Sequence, residues 1–463
     1  MIEIHEIEIA RHCISFACAH GADSARVNLN KSSIDGCNML NGELDKVTHA
    51  ADRSIYLYLY VDGKYGTFST NMLEKDKLED FIIKAIDMVR MLGEDSCRRL
   101  PDPSRTEQNA KTGRELGLYN EALEQSDSDS RLARAKAMSI WQNCRENPAC
   151  DKVLSEKTFA IISEECEYSE SYDDSMTIDS QGFEGRHTES SFSYFAEVTI
   201  QDKEGNRYSG YWWESSCDNS VADPSQISRK ALEKAIAQIG PQPRRSGRSR
   251  MVVDSSVASR LVAPVINALN GASLQQKMSF LDGTLGQKVF SEGMTLMDLP
   301  RSICKNGSRM YDSEGVATKD APIIKDGVVS QYFINTYNAA KMGMEPTVED
   351  ASRPLLMPYM KGLELADKEN SVSLKDILQY CRNGILVTGF NGGNTNPVTG
   401  DFSFGIEGFA FSKGKITHPV REMLITGNLK DLWNSFIAAG TDARPSSRWQ
   451  IPTIAFENVS FSA

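Results

Sequence analysis

The chain has 463 residues, which is more than one ordinary core accommodates, and two domains are expected. Its 40% hydrophobic and 25% charged residues fit a soluble globular protein. The net charge of -12 argues against a large duplex-DNA footprint, and no apolar run reaches the roughly 20 residues that cross a bilayer.

In chain order, Ile2 to His20 predicts an amphipathic helix with Gly21 as its C-terminal cap. Its acidic start (Glu3, Glu6, Glu8) does not resemble a signal peptide, so a cytoplasmic location is the expectation. Strands are predicted over Ala25–Asn30 and Ile55–Val61, and Asp62-Gly63-Lys64 turns the latter into Tyr65–Ser69. Lys75–Met91 has helical spacing, with Leu78, Phe81, Ile82, Ala85 and Met88 on one face. Further on come a helix near Ser130–Cys144 and strands over Val153–Ser163, Glu167–Asp174, Ser175–Ser180, Ser190–Gln201 and Tyr208–Glu214. A helix over Ile227–Ile239 stops at Gly240-Pro241.

The first domain is expected to span residues 1–245 and the second 246–463. The basic run from Arg244 to Arg250 follows Pro241 and Pro243 and reads as a solvated linker. Beyond it, a helix is predicted over Ser256–Asn270, a turn at Lys325–Val328 and a helix from Ser373 to Asn383. Ile385–Thr388, Phe402–Phe411 and Ile416–Ile425 read as strands, and Leu429–Ala439 as a helix capped by Asn428. Helix and strand blocks mix without steady βαβ alternation, so the fold class is α+β, with a mixed N-terminal domain and a strand-rich C-terminal one.

The ten cysteines are scattered from Cys13 to Cys381 with no CxxC pair, as expected of small buried residues kept reduced. Only six histidines exist. His187 stands with Glu184 and Glu189 in a segment that reads as a solvated turn; the alternative is an unconventional hydrolase site. His12 and His20 share a helix but stand too far apart to grip one ion, and Cys13 with His20 reads as a core helix end. His5-Glu6 completes no HExxH, His49 reads as a surface residue and His418 as structural. Neither a GxSxG elbow nor a GxxxxGK[ST] loop occurs. Trp212 and Trp213 beside Glu214 read as sheet core, with a binding platform as the alternative. Glu164-Glu165 and Asp173-Asp174 read as hydrated acidic surface.

The segment from Gly389 to Gly408 stands apart. It is too rich in Gly and Asn for an ordinary core strand, yet Phe402, Phe404 and Ile406 alternate too regularly for a disordered loop. Asn391, Gly392, Gly393, Asn394, Thr395 and Asn396, followed by Asp401, read either as a turn that shapes the sheet or as a groove wall for a substrate or partner.

This segment resembles the C-terminal signature of the TldD/PmbA family, the "modulator of DNA gyrase" proteins that include a cytosolic metallopeptidase. Blocks at Ile2–Ser69 and Leu261–Pro300, the latter with Gly271, Ser279-Phe280-Leu281 and Gly286–Phe290, extend the resemblance over most of the chain. TldD-like members carry an HExxxH helix and a late Cys-Gly-Lys segment that bind the catalytic metal; members of the PmbA/TldE branch resemble them but lack both. Placed on this sequence, the motif's histidines fall on Val262 and Asn267 and its glutamate on Ala263. No His occurs between His187 and His418, and after Cys381 there is no cysteine, only Ala443-Arg444-Pro445-Ser446-Ser447 where the late segment would stand.

The resemblance therefore implies a PmbA/TldE-type subunit without catalytic residues or a metal of its own. Its partner would be a TldD-like chain holding a metal ion, expected to be zinc, and the assembly would act on peptides or unfolded proteins. Direct nucleic-acid or membrane binding is not implied, and a homodimer of the lone chain is a further option. The alternatives are a stand-alone hydrolase with non-standard ligands and a regulatory, protein-binding modulator.

Overall fold

The β-rich runs of the sequence extend much further than their side-chain alternation suggests, because one long hairpin follows another. In the computed structural model, which describes residues 1–141, 159–221, 223–363 and 371–463, about 23% of the chain is helix and 40% strand. The fold is α+β. The chain divides into two compact units, and neither is continuous in sequence. The first comprises residues 1–235, 301–318 and 335–348, and the second residues 236–300, 319–334 and 349–463.

The first unit is built on a six-stranded antiparallel sheet, β1 (Ser24–Leu40), β2 (Glu43–Val61), β3 (Lys64–Thr70), β4 (Phe159–Asp179), β5 (Glu184–Asp202) and β6 (Arg207–Ser216). Its order is β3-β2-β1-β4-β5-β6. The predicted Ala25–Asn30 is one end of β1, and the strand pieces from 159 to 180 form the single strand β4. The expected helix beyond Trp141 and the expected strand before Phe159 lie outside the described residues. Helices α1 (Ile4–Ala19) and α2 (Lys75–Arg90) cover one face. Ala10, Cys13, Ile14 and Ala17 of α1 and Leu78, Ile82, Ala85 and Val89 of α2 bury against Val27, Leu29, Leu57 and Leu59. Two further helices, α3 (Ser128–Met138) and α4 (Ser225–Ala237), follow the same amphipathic rule.

Two expectations about charge are corrected here. Asp174 and Glu164 are not on a hydrated surface; each is only 1% exposed. Asp174 accepts hydrogen bonds from the Ile2 N–H at 2.7 Å, from Arg186 Nε and Nη2 at 2.9 and 2.6 Å, and from Thr188 Oγ1 at 3.0 Å. Glu164 accepts from Ser139 Oγ and the Ile140 N–H, both at 2.7 Å. A buried carboxylate persists only when its lone pairs are filled in this way. The doublet pattern misled because alternate residues of a strand face opposite ways.

The second unit centres on β7 (Gly247–Val253), which corrects the reading of Arg244–Arg250 as a linker from Gly247 onward, while residues 244–246 stay outside any strand. Arg248 and Ser249 lie opposite Ser460 and Val459 in the sheet, and Arg250 donates to the Cys381 carbonyl at 2.7 Å. Helix α5 (Ser259–Ala268) and the short α6 (Gly271–Gln275) follow. A small four-stranded sheet contains β8 (Leu296–Asp298), β9 (Ala321–Lys325), β10 (Val328–Val329) and β11 (Pro354–Leu356). The seven-stranded sheet joins β7 to β12 (Tyr359–Met360), β13 (Gly384–Thr395), β14 (Asp401–Ser412), β15 (Lys415–Asn428), β16 (Phe436–Ala439) and β17 (Ile454–Ser462).

Strand β7 pairs in parallel with β13 and antiparallel with β17, and β17 also pairs with β15. The ring β7-β13-β14-β15-β17 therefore closes on itself as a small barrel. Helix α7 (Leu374–Cys381) starts at a Ser373–Asp376 capping box and packs Ile377 and Leu378 on one barrel face. Helix α8 (Leu429–Asn434) is capped by Asn428 as expected, but Phe436–Ala439 is strand, not helix. Trp433, fully buried, packs on Phe436 and Phe456 and donates its indole N–H to the Leu261 carbonyl at 3.3 Å.

Replacing Asp174 with Ala strands the Arg186 guanidinium, and chemical denaturation of the variant is expected to show a loss of about 3–5 kcal/mol. A second carboxylate, Glu6, contributes to the acid limb. Burial opposes ionisation of Glu6, but the Glu3 N–H and then Lys31 and Arg53 outweigh it and hold its pKa below the ordinary range. The stabilisation is therefore full above the unfolded value near ~4.3 and lost as pH falls through the lower folded value. Melting temperatures of Glu6→Gln measured from pH 3 to 7 should fall less steeply on acidification than those of the parent.

Candidate functional site

The Gly- and Asn-rich segment is not one turn. Residues up to Thr395 complete β13, and the tight turn is Asn396–Gly400. The pairing register of β13 with β14 slips between Asn391 and Asn394, so Gly392 and Gly393 form a bulge. Both have left-handed φ, +74° and +85°, and a Cβ on Gly393 would stand 2.0 Å from the Ser403 carbonyl oxygen. No other residue type fits there without moving β14.

The turn itself is wired internally. Asn396 Oδ1 accepts from the Val398 N–H at 2.9 Å, and Asp401 accepts from Asn428 Nδ2 at 2.9 Å and Thr399 Oγ1 at 2.7 Å. These two bonds, the one from Asn428 foremost, hold the Asp401 carboxyl below its usual pKa. The carbonyl of Pro397 accepts the Phe280 N–H at 2.9 Å, which pins the turn to the loop after α6.

The bulge and α5 together wall a cavity of about 350 Å³, lined among others by Arg260, Ala263, Asn267, Phe280, Asn394 and Thr395. Two parts of the sequence singled out separately thus meet in space. Arg260, Ala263 and Asn267 share a helix face by their spacing of three and seven residues. Arg260 Nη2 donates to the Gly393 carbonyl at 3.2 Å, and its guanidinium carbon lies 5.2 Å from the centre of the Phe404 ring.

Not every candidate residue joins this cavity. Val262 is fully buried on the far side of α5. Asn391 borders a separate depression with Glu407, Arg421 and Glu422, and donates to Glu407 Oε2 at 3.3 Å. Gly392, Asn396 and Asp401 shape the strand and turn. A shift of one residue in the motif placement brings Ala263, Pro264 and Ala268 to the cavity wall, again without an imidazole or carboxylate. The donor set is one cation, amides and hydroxyls, which does not suit a divalent metal ion. Among the described residues no group of three or more His, Cys, Asp or Glu side chains is placed to hold one.

None of the six histidines lines this cavity; His5 Nδ1 stands 3.4 Å from Glu3 Oε2, and His418, in β15, lies opposite Ala410. His187 lies in strand β5, not on a solvated turn, with Nε2 3.4 Å from Glu189 Oε2. Glu184 is gripped at 2.8 Å through both oxygens by Arg11 and is not turned to His187. His12 pairs with Glu79 at 2.7 Å, His20 with the Phe16 carbonyl at 2.8 Å and His49 with Asp35 at 2.8 Å. Trp212 is half-buried, and the Nζ atoms of Lys230 and Lys234 each stand 4.8 Å from its ring centre, so α4 lysines cover its face. Burial pushes the Cys13 and Cys381 thiols up to about 11, which keeps both protonated at neutral pH. Cys18 and Cys304 are exposed. Sequence reading passed over Arg260; its place one turn before Ala263 on the helix face is the signal that marks it.

With this geometry in view, three family models match the chain. They are the PmbA/TldA metallopeptidase domain 1 over residues 25–89, the central domain over 124–239 and the C-terminal domain over 246–463. The chain belongs to the TldD/PmbA family. It is 23% identical to "Metalloprotease PmbA" of Escherichia coli O157:H7, over 94% of this chain and 91% of that protein. It is 24% identical to the "Metalloprotease PmbA homolog" of Haemophilus influenzae, over 100% and 98%.

Among solved structures, one named as a modulator of DNA gyrase from Bacteroides thetaiotaomicron covers both chains completely, with 39% identity and a TM-score of 0.90. TldE from Thermococcus kodakarensis superposes with a TM-score of 0.81 at 18% identity, over 98% of this chain and 100% of that one, and so shares the fold. No helix among the described residues is long and apolar enough to cross a membrane.

Gly393→Ala is expected to lower stability by about 1–3 kcal/mol in a denaturant titration, whereas Asn391→Ala, at an exposed position, should change it by less than about 0.5 kcal/mol.

Proposed function

We propose that this chain is a non-catalytic, PmbA/TldE-type subunit of a peptidase whose metal site lies on a separate TldD-like chain. Together the two would enclose peptides or unfolded proteins for proteolysis. One observation carries this reading: at the positions where the HExxxH motif of TldD-like members falls, α5 has Val262, Ala263 and Asn267, and it faces its cavity with Arg260, Ala263 and Asn267. Hydrolysis assisted by a metal needs imidazole or thiolate ligands and a carboxylate base, and the helix supplies none of them. The family membership supports the choice of a metallopeptidase assembly, and the likeness to PmbA relatives, together with the missing motif, supports the choice of subunit. The metal, expected to be zinc, belongs in this reading to the partner. The net charge of -12 fits a cytosolic protein partner better than a nucleic acid.

The test is reconstitution. Purified alone, the chain should carry no stoichiometric transition metal by elemental mass spectrometry and should not cleave a casein or oligopeptide substrate. Mixed with a TldD-like chain from the same organism, it should co-elute on size exclusion and raise peptidase activity at least about tenfold, a barrier change near 1.4 kcal/mol. Stoichiometric metal together with activity in the lone chain would overturn the proposal.

A further inference from the structure

The cavity beside α5 has polar groups that its own fold leaves unspent. Thr395 Oγ1 is buried with no hydrogen-bond partner. The side chains of Asn267 and Asn394, both exposed, and of half-buried Ser273 make no hydrogen bond among the described residues, and the exposed Arg260 is paired with no carboxylate, so these groups face solvent or a ligand. A buried hydroxyl without a partner is costly, and such groups are retained where something else satisfies them.

The charge balance is one-sided. Arg260 is the cavity's one charged lining residue, and the Lys430 ammonium stands 6.0 Å from the ring centre of Phe280 on the same wall. The guanidinium is held by Phe404 on one face and by the Gly393 carbonyl through Nη2, so most of its N–H donors are oriented but unused. A planar fork of this kind, exposed and tethered at one nitrogen, suits a carboxylate. Asn267 and Asn394 add amides that match peptide groups, and Phe280, Pro264, Pro397 and Phe404 supply an apolar floor for a side chain. Strand β7 pairs with β13 only along Ile385–Val387, so the backbone at Gly393–Thr395 has no β7 strand beside it.

We propose that this cavity binds the C-terminal end of a short peptide, with Arg260 gripping the terminal carboxylate and Thr395 Oγ1 and the two asparagine amides holding the last peptide groups. The choice of a peptide rests on the peptidase-subunit reading; the preference for an anionic end rests on the cavity alone. In a peptidase assembly such a site retains a substrate or product by its tail without cutting it.

The test uses the full chain and an Ala-Ala-Phe peptide carrying fluorescein on its N-terminal amine, in two forms, the free acid and the C-terminal amide, followed by anisotropy. The acid is expected to bind at least about tenfold more tightly than the amide, as a charge-assisted pair implies. Arg260→Gln should bring the acid down to the level of the amide, leave the amide unchanged and keep the parent melting temperature. Thr395→Val should weaken both forms severalfold. Equal binding of acid and amide by the parent, an undiminished acid affinity in Arg260→Gln, or no binding of either form would overturn the proposal. So would displacement of the peptide by inorganic phosphate at equal or lower concentration, since the site would then be one for free anions. None of these outcomes bears on reconstitution with a TldD-like chain, which tests the subunit reading separately.

Discussion

The ladder between β7 and β17 is the contact on which the second unit depends. It joins residues 247–253 to the last strand of the chain and so closes the barrel. Closing so long a loop carries an entropic cost, which is offset only if many groups are buried at once. They are: Met251, Val252 and Val253 face Phe456, Ala455 and Ile454 across the ladder, and all six are fully buried. Because β7 also pairs with β13, the ladder fixes where α5, which follows β7, stands relative to the bulge of β13. The cavity is a consequence of that closure, since neither wall is positioned without it.

Much of this was legible in the sequence. Asn428, Ser373 and Gly21 marked helix ends because capping is a local matter of one side chain and a few N–H groups. The importance of Gly389–Gly408 was visible because only glycine tolerates the backbone of a bulge pressed against Ser403. The absence of the HExxxH residues needed no structure at all. That Ala263 and Asn267 share a wall with Asn394 and Thr395 is a long-range fact that no local pattern carries.

The misreadings have physical causes as well. Polar residues in long antiparallel strands have the composition of loops, which is why Lys31–Leu40, Glu43–Ser54 and Glu184–Glu189 do not read as strand in the sequence. Their conformation is set by neighbouring strands and not by their own hydrophobicity. The reading of Phe436–Ala439 as helix failed for the same reason: its apolar residues pack on both sides in β16, and a run buried all round has no period to betray it. Asp174 and Glu164 read as surface residues in the sequence because their partners, Arg186 and Ser139, stand 12 and 25 positions away in the chain.

The discontinuity of the first unit bears on how the protein is made. Residues 301–318 and 335–348 belong to it, and through them Arg301 meets the buried Glu107 while Glu314 accepts hydrogen bonds from the Thr336 N–H and Oγ1. A ribosome that has released only the first 235 residues has therefore produced the six-stranded sheet without its last pieces. The nascent unit must wait, with Glu107 unpaired by Arg301, until synthesis has passed residue 348. For this chain, vectorial folding of one finished domain after another is not available, and the interval before completion is when a chaperone has most to hold.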